Sequence, residues 1–223
     1  MGIHVDRGPR EVERWFLAAT LFGTRISWRI VEHTYAVFDS NGVSTIANAG
    51  ARTWDELVAF LDEGGYARYD FRTATRLLKL SAAVGERHDG RISHLAREED
   101  PTALEAALDA LPGWGPVTVR LFLRELRGVW PGARPPLDER ALLSARHMRL
   151  RFGGIEPIRA LAALAQSASV DVRDLEGALV RLGLVHAFAG CPGGALCRAL
   201  TTRVPSSPVP RPPASRSPSS RDR

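Results

Sequence analysis

Leu111 to Asp138 reads LPGWGPVTVRLFLRELRGVWPGARPPLD: a turn with two glycines, an amphipathic segment, a loop rich in Gly and Pro, and one carboxylate. Pro112 stops a preceding helix, and Gly113 and Gly115 permit a tight reversal before Pro116 opens the next one. The missing Cβ atoms also let a second chain approach the backbone. Free N–H groups at the start of the following helix favour an anion there, reinforced by the helix dipole. A phosphodiester backbone fits that description, and such contacts hold nucleic acid without reading its sequence. Asp138 stands where the loop ends and ERALLSARHM begins, the position of an N-cap.

On either side of this stretch apolar residues recur at spacings of three and four, and no β-branched alternation appears, so the chain is expected to be all-α. Thr53-Trp54-Asp55-Glu56 forms a capping box that opens a helix to Glu63, closed by Gly64-Gly65. Asp70 is expected to cap the next helix, to about Val84. Asp100 followed by Pro101 caps a short helix from Thr102 to Ala110. Further helices are expected over Glu11 to Phe22, Ser27 to Phe38, Pro116 to Arg127, Glu139 to Phe152, Pro157 to Ser167 and Val172 to Ala189. Together these make a helical domain over residues 1–200, with the glycine hairpin at about 102–127 and the carboxylate loop at 128–138. From Thr201 to Arg223 the chain is rich in Pro, Ser and Arg without apolar periodicity, and a disordered tail is expected.

Of the net charge of +5 over 223 residues, the tail holds most: five arginines against Asp222 give it +4, which leaves +1 for the rest. A basic tail suits an acidic partner. Two cysteines are too few for a disulfide scaffold, and the N-terminal MGIHVDRGPREVERW has no apolar stretch, so a reducing cytosol is the expected compartment. The longest apolar run, around Trp15 to Gly23, is too short to cross a bilayer, and no membrane role is expected.

The order LPGWGPVTV, amphipathic helix, Gly/Pro-rich loop and LDERALL resembles the helix-hairpin-helix, Gly/Pro-Asp superfamily of DNA base-excision glycosylases, nearest its endonuclease III-like branch. FLAATLFGTRISWRI, GGYARYDFRTATRLL and HDGRI extend the resemblance over roughly Val12 to Ala189. It implies two helical subdomains with the active-site cleft between them. It also implies a monomer acting on double-stranded DNA that carries a lesion or mismatch.

By the same resemblance Asp138 is the catalytic carboxylate. An anion at a helix start stabilises the oxocarbenium-like sugar formed as an N-glycosidic bond breaks, and orients the attacking water. The target base must first leave the stack. The implied DNA contacts are Leu111, Gly113, Trp114, Gly115, Val117 and Thr118 in the hairpin, with Thr24 and Arg25 in an early loop. For Thr24, Arg25 and Ser27 the plain reading, an interhelical loop with Ser27 as cap, stands equally beside that role.

Three departures narrow the expected chemistry. The bifunctional members carry a lysine where this chain has Val117, and Lys79, its only lysine, falls in mid-helix on an expected solvent face. Base release without strand cleavage is therefore expected, with water as nucleophile. The adenine-specific relatives use a glutamate where this chain has Ala18. The endonuclease III-like iron–sulfur cluster needs four cysteines, and HAFAGCPGGALC retains Cys191 and Cys197 alone, so the pair reads as a degenerate remnant. Zinc held by the pair plus His186 is the lesser alternative, and no cofactor or metal is expected. Leu179, Leu182, Leu184 and Phe188 are expected to pack this region instead; His147 could face a phosphate but is expected to be solvated on its helix, and Trp28, Tyr66 and Tyr69 could stack a base but are expected in the core. A non-catalytic DNA-binding module and a bifunctional glycosylase/lyase remain as competing readings.

Overall fold

From Trp15 to Leu21 the first long helix is buried on every side, enclosed by segments that lie before about residue 133. The computed structural model describes residues 1–24 and 26–201; Arg25 and residues 202–223 lie outside the described residues, and with them the expected contact at Arg25 and nearly all of the expected tail. The elements in order are α1 (Pro9–Phe22), α2 (Trp28–Ser40), α3 (Ile46–Gly50), α4 (Trp54–Glu63), α5 (Asp70–His88), α6 (Pro101–Asp109), α7 (Pro116–Glu125), α8 (Glu139–His147), α9 (Pro157–Ser167), α10 (Val172–Val185) and α11 (Arg198–Thr201). Short 3-10 turns occupy Val5–Arg7, Ile92–Arg97 and Gly194–Leu196. Among the described residues there is no strand, so the class is all-α, and no helix is long and apolar enough to cross a membrane.

Cap chemistry explains several of the helix starts. Thr53 accepts from the Glu56 amide while the Glu56 carboxylate accepts from the Thr53 amide, the reciprocal box expected at α4. Asp100 accepts from the amides of Thr102 and Ala103 ahead of Pro101. Asp70, expected as a cap, is instead the first residue of α5, with Tyr69 at the cap position. That helix runs beyond Val84 to His88, where Asp89 turns left-handed. α8 ends at His147, short of the expected Phe152, because Arg149 takes a positive φ of 58°. α10 ends at Val185 rather than Ala189. α3, capped by Thr45, and the turn at Ile92–Arg97 had no clear apolar period and are additions.

The apolar interior divides in two. The larger cluster draws on α1 to α7 and the loop after α7, with Phe16, Trp114, Phe122 and Trp130 in successive ring contacts: Phe16 stacks on Trp114 at 4.4 Å, and Phe122 meets Phe16, Trp114 and Trp130 edge-on at 5.6, 5.3 and 5.7 Å. The smaller cluster has only Ala141, Ala145, Leu161 and Leu179 fully enclosed, from α8, α9 and α10. Polar straps join the two regions. Arg173, at the start of α10, donates to the Glu125 carbonyl, to Asp171 and to Asp6 near the N-terminus.

Candidate functional site

The hairpin is formed by α6, the turn from Ala110 to Gly115, and α7, and the turn's side chains point in opposite directions. Leu111, Trp114 and Thr118 are buried, whereas Gly113 is exposed and Val117 is 82% exposed. The Trp114 indole N–H donates to Thr20 Oγ1 at 3.2 Å, and that hydroxyl donates to the Phe16 carbonyl. Three of the residues expected to touch DNA therefore serve the core, and any contact they make runs through the backbone. Gly113 has φ +77°, a left-handed conformation, and a Cβ there would meet Arg76 Cδ at 2.2 Å, so both sterics and dihedral require glycine. Gly115 caps α7 without a side chain and Pro116 has no N–H. The Val117 and Thr118 amides thus stand as helix-start donors with no side-chain cap upon them.

Arg76, absent from the sequence reading, links this turn to the early loop. Its Nη2 donates to the Thr20 carbonyl at 3.0 Å and to Thr24 Oγ1 at 3.3 Å, and its Nε is buried without a partner. Among the described residues no carboxylate pairs with it. Burial draws its pKa below the ordinary arginine value, the Tyr66 hydroxyl opposes this, and Arg72 adds to it. Thr24 is thus half-buried beside the hairpin. Ser27 occupies the cap position of α2 but makes no side-chain cap bond. Tyr66 is wholly buried and donates to the Leu21 carbonyl, Tyr69 is partly buried, and Trp28 departs from expectation at 56% exposed. Lys79 is exposed in mid-α5, as expected, and Ala18 is enclosed.

Asp138 caps α8. Its Oδ1 accepts from the amides of Arg140 at 2.8 Å and Ala141 at 3.4 Å, and among the described residues no hydrogen bond ends on Oδ2. Its own N–H donates to Glu176 Oε1 at 3.1 Å. Glu176, 1% exposed in α10, also accepts from Arg127 Nη2 at 3.2 Å, and Arg127 Nη1 donates to the Pro135 carbonyl at 2.7 Å. One buried ion pair therefore grips both ends of the segment Pro135 to Asp138. Neither Arg127 nor Glu176 was singled out from the sequence, because each looks like an ordinary helix-surface charge; Glu176 lies in EGALV, among apolar neighbours, which is the one hint of burial. An open cleft of about 460 Å³ lies between this loop and α9, lined by residues including Trp130, Arg134, Glu156 and Arg159, and Asp138 is not in its wall.

A second constellation forms at the far ends of α8 and α10. His147, the last residue of α8, is half-buried rather than freely solvated: its ring stacks on Phe188 at 4.5 Å, and its Nε2 lies 3.4 Å from Cys197 Sγ. His186 Nε2 is 3.5 Å from the same sulfur, and Cys191 Sγ is 3.8 Å from it. Slight burial pushes the Cys191 thiol up, but the Arg198 and Gly193 amides and the two imidazoles outweigh it and pull its pKa down to about 6. The expected apolar packing holds only in part, since Leu179 is buried, Leu182 and Phe188 are half-buried, and Leu184 is turned outward.

No protein-family model, curated protein or solved structure matches this chain.

Proposed function

We propose that the chain is a monofunctional DNA glycosylase of the helix-hairpin-helix, Gly/Pro-Asp type, which hydrolyses the N-glycosidic bond of a flipped, damaged or mispaired base. The observation that carries this reading is Asp138: it caps α8 with Oδ1 alone, and among the described residues no hydrogen bond ends on its Oδ2. One carboxylate can then hold its helix and still face a developing oxocarbenium or a water. Duplex binding falls to the hairpin backbone around Gly113, Gly115 and Val117 and to the Thr24 loop braced by Arg76. Val117 supplies no amine, so water is the nucleophile and the product is an intact abasic site.

Release of free base from duplexes that each hold one defined lesion or mismatch tests this reading. Asparagine is as good an N-cap as aspartate, so Asp138→Asn keeps the fold and the duplex affinity. Loss of the charge opposite the sugar should lower base release by roughly a hundredfold or more. Undiminished release removes Asp138 from the mechanism. The second reading, a DNA-binding module without catalysis, is favoured by the placement of the open cleft away from Asp138. Tight duplex binding with no base released from any substrate would establish it.

A further inference from the structure

We propose that His147, His186, Cys191 and Cys197 form a closed tetrahedral site for a divalent zinc ion that fastens the C-terminal segment onto α8 and α10. The four donor atoms lie within 4.8 Å of one another. Zinc bonds of about 2.3 Å to sulfur and about 2.0–2.1 Å to nitrogen, at tetrahedral angles, place sulfurs about 3.8 Å apart and sulfur about 3.6 Å from nitrogen. The separations here are 3.8 Å between the sulfurs and 3.4 and 3.5 Å from Cys197 to the imidazoles. Cys197 Sγ meets the Cys191 sulfur and both imidazole nitrogens at once, the separations of a shared ligand set. A disulfide needs sulfurs about 2.05 Å apart. Two thiolates with two imidazoles suit zinc among the common divalent ions, whereas an iron–sulfur cluster of the four-cysteine kind lacks half its ligands.

The surrounding backbone is shaped to bring these donors together. His147 closes α8 and His186 caps the end of α10, so each helix delivers one imidazole at the point where it stops. Gly193, at φ +69°, passes so near α8 that a Cβ would meet the His147 carbonyl oxygen at 2.3 Å, and any other residue there would push the cysteine loop away. The Arg198 amide donates to Cys191 Sγ at 3.4 Å, a bond that stabilises a thiolate ligand. A physical need is also evident: only four residues of the smaller apolar cluster are fully enclosed, and cores of that size commonly depend on a metal or a disulfide. All four positions around the ion are filled by protein, so it supplies folding free energy and not a reactive water.

The test uses the full chain, purified without added metal under reducing conditions, with metals measured by plasma mass spectrometry. The expected result is about one zinc per chain that survives dialysis, falling to a small fraction in Cys191→Ser and in His147→Ala. Should those variants not fold, the wild-type chain stripped by a chelator decides. Added cobalt should then give the intense visible bands of a tetrahedral thiolate site, and zinc should raise the melting temperature and protect both thiols from alkylation. A chain that holds no zinc as purified and neither binds cobalt nor gains stability from zinc overturns the proposal, as does iron in the purified chain or a Cys191–Cys197 disulfide under reducing conditions.

Discussion

Glu176 should matter to Asp138 more than its position in the sequence suggests. Its two oxygens accept from Arg127 Nη2 at 3.2 Å and from the Asp138 amide at 3.1 Å, and the side chains of Glu176 and Arg127 are 1% and 11% exposed. Glu176→Ala strands a buried guanidinium and a backbone amide, and breaking a buried pair from one side costs about 3–5 kcal/mol. Glu176→Gln keeps an acceptor for the amide but presents an uncharged group to Arg127, a loss of about 1.5–3 kcal/mol, the worth of a charge-assisted bond. For a chain of this size 1 kcal/mol moves the melting temperature by about 2–4 °C, so the glutamine variant should melt roughly 3–12 °C lower and the alanine variant further still. The assay is thermal unfolding of both single variants, Arg127→Ala and the double Arg127→Ala/Glu176→Ala. The double should be less damaging than the two singles summed, by about 1–3 kcal/mol, because the second change removes a charge already stranded. High salt should leave that coupling nearly unchanged, as the pair is screened little. Strict additivity, or a glutamine variant as stable as the parent, would refute the account of how the Asp138 loop is held.

Three further outcomes are expected. If the proposed function holds, any strand the protein acts upon should carry an intact abasic site that breaks only in hot alkali, and borohydride should trap no protein–DNA adduct, because Val117 has no amine and Lys79 is exposed on α5; an adduct lost in Lys79→Ala would reverse this. Deleting residues 202–223, with their net charge of +4, should flatten the salt dependence of non-specific duplex binding by up to about 3–4 log units per log unit of salt, measured by titration at several salt concentrations; an unchanged slope would exclude the tail from DNA contact. The Arg173 side chain hydrogen-bonded to Asp171 lowers that carboxyl's pKa in the fold. Its stabilising contribution is thus full above the ordinary carboxylate value of about 4 and fades as pH falls through the lower folded value. Asp171→Asn should remove that part of the acid sensitivity in melting curves recorded against pH; an unaltered pH dependence would count against the strap.

Local signals in the chain were enough for most of the helices and several of their starts, though not for α3 or for the start of α5. The capping box at Thr53, the Asp100-Pro101 start, the Gly113 reversal and the cap at Asp138 each depend on residues within four positions of one another, and all four appear in the structure. Helix ends were read less well: α8 and α10 stop early, at His147 and Val185, and the left-handed turn at Arg149 that follows α8 carries no glycine to announce it. The same limit applies to burial. Trp114 and Thr118 occupy the hairpin positions expected of DNA contacts, yet the aromatic stack around Phe16 and Phe122 claims the first and the packing of α7 encloses the second.

Only the tertiary structure decided which charges are buried and which donors converge. Arg127 and Glu176 are 49 residues apart, and a helix pattern alone places both in solvent. The four proposed zinc ligands come from two helix ends and one loop, with His147 some 50 residues from Cys197. A sequence displays periodicity and cap residues because helices form through contacts at spacings of three and four. It does not display a long-range meeting of side chains, since that depends on how whole helices pack and on where each one stops.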